Sequence, residues 1–377
     1  MSQQPIICKA AIIYKEGTPL VIEDVTIDAP KNGEVRVKMV SAGICASDAH
    51  FVWGTAKLNE WPGHDGPAVL GHEGAGIVES VGPDVTNLQP GDHVLTTFMP
   101  ACRDCPYCAS PLTNFCAKEN LIALGAIPNK KLTKNGQNLI GLAGLGIYSQ
   151  YSLLKLSQVV KINPAAPLVN SAIISCAVAT GFYAARNQAN VQPGTTAAVW
   201  GIGAIGINAI YGCKKAGAKN IIGVDINNEK KAIGEEFGIT EFVNPNELGG
   251  KPVDQYLKEK YGGVDYAFDC LGNKFVIETA YKSLSVFGTL ALVGLAPSGT
   301  ELVLPVSDTL TGKKVAGAFM GNKDCDSAYT ELTEMYVKGE YDVDRLVTHN
   351  FKLEQINEAF QLLKEGKCIR SLIIFDA

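Results

Sequence analysis

The stretch that decides the fold is Ala197-Ala198-Val199-Trp200-Gly201-Ile202-Gly203-Ala204-Ile205-Gly206, in which an apolar run meets three glycines. The apolar run predicts a buried strand, and the following residues, 205–216, predict a helix. In such a turn the first glycine allows the tight bend, the second lets the backbone approach a pyrophosphate, and the third allows close helix packing. The helix N-terminus adds unpaired N–H groups that suit phosphate. The stretch therefore predicts a dinucleotide-binding turn at Gly201, Gly203, Ile205 and Gly206.

A second predicted strand, residues 220–224, ends at Asp225, nineteen residues after Gly206. An acid at this place can accept both ribose hydroxyls of NAD and would repel the additional phosphate of NADP. Ile226 and Asn227 follow and supply no arginine to bind that phosphate. We therefore expect NAD as the cofactor, the alternative being an ordinary glycine-rich turn followed by a helix-capping aspartate.

The composition describes a globular enzyme rather than a nucleic-acid or membrane protein. With 377 residues, 46% hydrophobic and 19% charged, the chain is long enough for two domains. The formal net charge is −5 and no Lys/Arg run is present, which argues against a nucleic-acid partner. The N-terminus lacks the layout of a signal peptide, and the most apolar stretches, 172–185 and 196–211, are too short to span a membrane. We expect a cytoplasmic protein.

Two patterns of secondary structure divide the chain. Short alternating or β-branched runs in the first third predict an antiparallel, barrel-like β domain, whereas from Thr195 onward strands and helices alternate as in a doubly wound parallel sheet. Helices and a final strand at 370–375 close the chain. We therefore expect a catalytic domain of residues 1–178 and 320–377, with an NAD-binding domain of residues 179–319 inserted in it.

Eleven cysteines without a secretion signal predict thiols or metal ligands rather than disulfides. Four of them lie within fifteen residues, at Cys102, Cys105, Cys108 and Cys116. A looping backbone can wrap these thiolates around one tetrahedral zinc, and such a closed shell leaves no position for substrate. We expect a structural zinc lobe at about residues 99–118. An iron–sulfur cluster and an accidental cluster of cysteines are the alternatives.

A second, open metal site is suggested by residues that are far apart in sequence. Cys45 follows a predicted strand, His72 lies in a glycine-rich loop, and Cys176 precedes an apolar helical stretch. Each residue alone is weak evidence for a metal site, because a single buried cysteine is more often a small apolar residue than a ligand. Only their combination suggests a metal.

The chain resembles the medium-chain, zinc-containing alcohol dehydrogenases over essentially its whole length. It looks closest to the animal dimeric type, between the ethanol-active and the glutathione-dependent formaldehyde branches. The fold that this resemblance implies is α/β, with a GroES-like β-barrel-type catalytic domain and a Rossmann domain. The residues that carry it are Gly71–Gly76, Val81–Gly82, Pro90–Val94, the cysteine lobe, Gly201–Gly206, Gly223–Asn227, Val347–Asn350 and Gly366–Arg370.

The resemblance implies roles for individual residues. Cys45, His72 and Cys176 would hold a catalytic zinc and leave a fourth position for water or substrate, which is what catalysis requires. Glu73 would lie behind this zinc, and Asp48 would orient the imidazole of His72. The same resemblance implies a proton relay, contacts with the cofactor, and side chains that line the substrate pocket, here called the substrate walls. They are Ser47 and His50 for the relay; Asp225, Lys230, Thr180 and Arg370 for the cofactor; and Phe98, Tyr148, Leu295, Phe319 and Met320 for the walls.

The largely apolar walls favour a primary or allylic alcohol with a hydrophobic tail, unless these side chains belong only to the core. Asn120 stands where the glutathione-dependent branch has an arginine, and the loop Lys57–Pro67 is longer than usual. We therefore expect an NAD-dependent alcohol dehydrogenase with two zinc ions and a homodimeric state. The alternatives are a glutathione-dependent formaldehyde dehydrogenase and a non-catalytic, NAD-binding structural protein.

Overall fold

A computed structural model describes residues 4–55, 66–119 and 132–376, and Asn120 and most of the loop Lys57–Pro67 lie outside them. The chain divides into two compact units, Met1–Cys176 with Asp324–Ala377, and Ala177–Lys323. The boundaries expected from the sequence, after residues 178 and 319, differ from these by a few residues.

The described part contains the following strands: β1 (Ile6–Ile13), β2 (Val21–Ile27), β3 (Glu34–Gly43), β4 (Ala68–Val69), β5 (Glu73–Val81), β6 (His93–Thr96), β7 (Leu132–Lys134), β8 (Gln137–Asn138), β9 (Ile140–Gly141), β10 (Tyr151–Lys155), β11 (Val159–Lys161), β12 (Thr196–Trp200), β13 (Asn220–Val224), β14 (Glu241–Val243), β15 (Val264–Asp269), β16 (Leu284–Leu292), β17 (Lys314–Gly317), β18 (Val347–Lys352) and β19 (Arg370–Ile374).

The α-helices of the described residues are named in the same way, and a π-helical turn, Ala184–Gln188, continues the third of them. Short 3₁₀ turns connect several of these elements. The helices are α1 (Ala46–Val52), α2 (Leu168–Ser171), α3 (Ala177–Tyr183), α4 (Ala204–Lys215), α5 (Lys230–Phe237), α6 (Val253–Tyr261), α7 (Lys274–Lys282), α8 (Val306–Leu310), α9 (Cys325–Val337) and α10 (Ile356–Lys364).

The first unit is built on two largely antiparallel sheets, as the short alternating runs predict. One sheet has the order β8-β7-β2-β1-β4-β9, and the other has the order β11-β6-β5-β3-β19-β18. Strand β3 is long enough to pair with β10 along residues 34–38 and with β19 along residues 41–43. Its other edge pairs with β5 as far as Gly43 opposite Glu73. The end of β3 and the start of β5 therefore lie side by side, and both lead directly into predicted site residues.

The second unit is a parallel sheet in the order β14-β13-β12-β15-β16-β17. The first strand of this unit lies in the middle and the order reverses beside it, which is the doubly wound arrangement that binds dinucleotides at the carboxyl ends of the strands. Helices α3 and α4 pack closely, since a Cβ on Gly181 would lie 2.2 Å from the carbonyl oxygen of Ile205. The α/β fold class expected from the sequence is confirmed.

Predicted and observed elements agree in type but differ at their ends. The predicted helix 205–216 is α4, and the predicted strand 370–375 is β19. Within the described residues no single helix is long and apolar enough to cross a membrane, although the bent pair Leu168–Ser175 and Ala177–Gln188 passes that criterion when taken together.

Candidate active site and metal centres

Four potential metal ligands from separate parts of the first unit meet in its interior. Cys45 occupies the N-cap position of α1, and Cys176 follows a 3₁₀ turn. His72 directly precedes β5, and Glu73 is the first residue of this strand. One ligand atom from each of these buried side chains lies within 4.8 Å of the others. The structure thus brings together the scattered residues that the sequence suggests only in combination.

His72 is held in one orientation. Its Nδ1 lies 3.0 Å from Oδ2 of the fully buried Asp48, so its Nε2 remains for a metal. The other carboxylate oxygen of Asp48 accepts a hydrogen bond of 2.7 Å from the backbone N–H of Gly71. Asp48 therefore fixes the imidazole tautomer, as such outer carboxylates do at metal sites.

Tyr148 completes this support, and its expected place on the substrate wall stays a prediction. Its side chain is fully buried, and its hydroxyl lies 3.1 Å from Oδ2 of Asp48 and 3.0 Å from the carbonyl oxygen of Gly43. Its ring packs edge-on against Phe360. Gly71 is what lets the ring approach, because a Cβ there would lie 2.7 Å from it. The apolar surroundings of Tyr148 in the sequence gave no signal of this polar contact.

Glu73 and Arg370 form a buried ion pair behind the sulfur ligands. Nη2 of Arg370 lies 3.1 Å from Oε1 of Glu73, and Nη1 donates a 2.7 Å hydrogen bond to the carbonyl of Ile44. Gly43 makes room for the carboxylate, since a Cβ there would lie 2.2 Å from Oε2. The family resemblance implies that Arg370 contacts the cofactor and gives no sign of its pairing with Glu73. The buried Nε of Arg370 has no hydrogen-bond partner among the described residues.

Neighbouring groups shift the pKa values in this cluster in opposite directions. A hydrogen bond from Cys176 is the main cause that holds the pKa of the Cys45 thiol well below its usual range, and the same bond raises the pKa of Cys176. Burial raises the pKa of the Glu73 carboxyl, although Arg370 opposes this rise. A metal that takes both sulfurs must displace the shared proton, so binding releases protons. Two thiolates would neutralise a divalent ion.

The four cysteines of the lobe also meet. Their sulfurs lie within 4.8 Å of one another, with Cys102 3.9 Å from Cys108 and Cys105 4.0 Å from Cys116. Sulfurs bound about 2.3 Å from a tetrahedral zinc lie about 3.8 Å apart, so this set fits the ion. The backbone N–H of Cys108 lies 3.4 Å from Sγ of Cys105 and is the main cause that lowers the pKa of that thiol to about 6.

The glycine turn of the second unit fits a pyrophosphate. Gly201 has φ of +90°, and a Cβ on Gly206 would lie 1.8 Å from the carbonyl oxygen of Gly201. A Cβ on the exposed Gly203 would meet no described atom within 4 Å, so this face of the turn is open. Asp225 lies beside the turn and accepts hydrogen bonds of 2.7 Å from Ile202 N–H and 2.9 Å from Asn227 N–H.

The remaining predicted residues have varied environments. Ser47 and His50 are partly buried and three residues apart on α1, and Nδ1 of His50 lies 2.8 Å from the Thr55 hydroxyl. The Phe98 ring meets the His72 ring edge-on, with centroids 5.2 Å apart. In the second unit Lys230, at the start of α5, is partly buried.

The other predicted wall residues belong to the second unit, together with Thr180. Leu295 is 56% exposed, Phe319 is partly buried, and Met320 is buried with its sulfur 3.0 Å from the Thr180 hydroxyl. Thr180 is therefore bonded to a predicted wall residue, which the sequence did not indicate. The exposure of Leu295 shows that this side chain is not part of the unit's own core.

Comparisons with known proteins identify the family to which the chain is related. Residues 31–164 match the family described as "Alcohol dehydrogenase GroES-like domain", and residues 204–338 match "Zinc-binding dehydrogenase". A curated protein from Carpoglyphus lactis, "Geraniol dehydrogenase", is 51% identical over 98% of this chain and 97% of its own length. "Alcohol dehydrogenase class-3" from Zea mays is 40% identical over the same shares. The crystal structure of an "Alcohol dehydrogenase zinc-binding domain protein" from Burkholderia ambifaria superposes with a TM-score of 0.89 at 31% identity, covering 99% of this chain and 100% of that one.

Proposed function

The chain belongs to the zinc-dependent medium-chain alcohol dehydrogenase family and acts as an NAD-dependent alcohol dehydrogenase, and we propose that its substrates are primary or allylic alcohols with a hydrophobic tail, and the corresponding aldehydes. The observation that carries the substrate class is the Phe98 ring against the ligand His72, because it places apolar surface beside the reacting centre. The relative named geraniol dehydrogenase supports the same class.

In this proposal Cys45, His72 and Cys176 hold the catalytic zinc, whose chemistry is Lewis acidity towards a substrate oxygen. Asp48 keeps the Nδ1 proton of His72 and leaves Nε2 for the metal. A second zinc is held in the cysteine lobe, as the sulfur spacing supports.

The proton of the alcohol leaves by way of α1. Ser47 Oγ takes up this proton as it releases its own hydroxyl proton, and His50 is the group that receives a proton at the end of the path; both lie on α1, three residues apart. Nδ1 of His50 is already bonded to Thr55, so we assign Nε2 as the atom that takes up the proton.

The cofactor is NAD, held by backbone N–H groups at the start of α4 and by Asp225 at the ribose. Gly203 exposes the backbone there, and the Asp225 carboxylate would meet the 2′-phosphate of NADP as a like charge. Thr180, Lys230 and Arg370 are the further cofactor contacts of this proposal.

We propose a homodimer in the cytoplasm. Strand β17 is the edge of its sheet in the described residues, and an exposed edge is a template for pairing with another chain. Apolar side chains nearby in the sequence are strongly exposed, among them Val303 at 81%, Val306 at 73% and Leu310 at 83%. A second copy of the chain that covers this edge would remove the unpaired strand and the apolar side chains from water. Sedimentation velocity distinguishes the dimer from a monomer.

A substrate panel tests the proposed class. The rate of NADH formation is measured with ethanol, octanol, geraniol, sorbitol and hydroxymethylglutathione. We expect the highest kcat/KM with geraniol and octanol, and the lowest with sorbitol, because a polyol leaves polar groups unpaired against apolar walls. Strong activity with hydroxymethylglutathione alone would establish the formaldehyde-oxidising alternative instead.

A further inference from the structure

Three consecutive residues after β17 have left-handed backbone conformations. Met320, Gly321 and Asn322 have φ of 49°, 62° and 54°. Glycine adopts this left-handed conformation readily, but for a residue with a long side chain, such as methionine, it costs conformational free energy. Such a residue therefore keeps the conformation only where its surroundings impose it. The run also follows the carboxyl end of a parallel strand, which is the edge where such sheets bind their ligands. These residues therefore combine backbone strain with a functional position.

The segment that follows Cys176 holds this run in place. The side-chain amide of Asn187 donates to the carbonyl oxygens of Gly321, at 3.3 Å, and of Asn322, at 2.7 Å. A Cβ on Gly321 would lie 2.4 Å from Cβ of Tyr183, so the two backbones are in direct contact. Residues of α3 and of the turn after it thus clamp the run by polar contacts and by close packing.

Asn187 lies within a π-helical turn. The turn spans Ala184–Gln188, and the N–H of Ala189 bonds to the carbonyl of Ala184 at 2.9 Å. A π-turn takes in one residue more than an α-turn and so rotates the side chains around the helix axis, and such turns often occur at functional sites. In this chain the turn places the side-chain amide of Asn187, with its two N–H donors, against the carbonyl oxygens of Gly321 and Asn322.

We propose that Asn187 is a positioning residue, which fixes the backbone of the Met320–Asn322 run and thereby sets how strongly the enzyme discriminates long hydrophobic alcohols from short ones. The inference rests on the proposed function, in which Phe319 and Met320 belong to the substrate walls. Phe319 directly precedes the run and Met320 is its first residue, so a shift of the run moves both side chains. A single methylene of fit in an apolar pocket changes kcat/KM by about 10- to 200-fold, so a small displacement is measurable.

The first test replaces Asn187 with aspartate, which keeps the size but removes both donors. We expect the ratio of kcat/KM for geraniol to that for ethanol to fall about tenfold, by the magnitude of one lost pocket contact. The dissociation constant of NADH, measured by its fluorescence, is expected to stay unchanged. Gln188→Ala is the matched control, because this neighbour on the same turn makes no hydrogen bond to the run in the described structure, and it is expected to leave the ratio as in the wild type.

The second test separates positioning from stability. Met320→Gly relieves the left-handed strain but removes a buried side chain, and the second effect is the larger one, so we expect a lower Tm together with a lower geraniol-to-ethanol ratio. A merely structural role predicts that the ratio stays constant in both variants while the Tm changes, and that result overturns the inference. If the wild-type enzyme forms NADH with neither alcohol, the proposed function fails first and the inference fails with it.

Discussion

The two cysteine sites of the first unit use similar ligands in opposite ways. The lobe takes all its donors from one short segment, Cys102 to Cys116, and the ion pairs around it, such as Lys118 with Asp104, are exposed. The open site takes its donors from the ends of three separate elements. It is surrounded by fully or almost fully buried charges, namely Asp48, Glu73 and Arg370.

This difference fits the proposed division into a structural and a catalytic metal site. A closed shell of thiolates needs only a loop that can bend around the ion, because the metal itself replaces a hydrophobic core. A site with an open position needs its geometry fixed from outside, since one place around the ion is left to substrate. Buried carboxylates and their partners do this, and they persist only because each one is paired. We therefore expect outer polar residues to matter at the open site and hardly at all at the lobe.

The largest expected effect comes from removing one sulfur at each site. Cys45→Ala should lower kcat/KM by about a thousandfold or more, because the Lewis acid contributes several kcal/mol to the barrier. Cys105→Ala should instead lower the Tm while turnover per catalytic zinc is kept. Elemental analysis should find two zinc ions per wild-type chain and one in each variant. A single zinc in the wild type, or loss of turnover per catalytic zinc in Cys105→Ala, contradicts the division of roles.

The same contrast explains what the sequence could predict. The lobe and the glycine turn are local, so spacing alone predicted both, and Gly203 and Gly206 have the environments that their assigned roles require. The open site depends on β3 pairing with β5, which places Gly43 opposite Glu73. No local pattern encodes that register, so these ligands came from the family resemblance.

Contacts made only by the tertiary structure were missed. The family resemblance assigned Tyr148 to the substrate wall but gave no sign that its hydroxyl lies beside Asp48, a hundred residues away in the sequence. The sequence likewise gave no sign that Arg370 pairs with Glu73 or that Asn187 donates hydrogen bonds to the Met320–Asn322 run. Hydrogen bonds between distant residues have no periodicity, and for that reason sequence patterns do not show them.

A smaller effect is expected from the acids beside each metal. Asp48→Asn should weaken zinc binding at the open site by about 10- to 100-fold, because the amide loses the charge that orients His72. Competition with a chelator measures this affinity, and kcat/KM should fall in parallel. Asp104→Asn is the matched change at the lobe, where the exposed acid lies beside Cys102 and Lys118, and zinc retention there should hardly change. Equal losses at the two sites would remove the distinction between them.

The smallest expected effect tests whether Tyr148 supports Asp48 or lines the substrate pocket. Tyr148→Phe keeps the ring against Phe360 and removes only the hydroxyl, so Asp48 loses one hydrogen-bonding neighbour. A hydrogen bond to a charged group contributes about 1.5–3 kcal/mol. Asp48 keeps its contacts with Gly71 and His72, so we expect a loss of zinc affinity below that range, about three- to tenfold. The ratio of kcat/KM for geraniol and ethanol should not change, and Tyr107→Phe, on the exposed part of the lobe, should alter neither quantity. A changed ratio with full zinc retention would instead place Tyr148 on the substrate wall, as its sequence position first suggested.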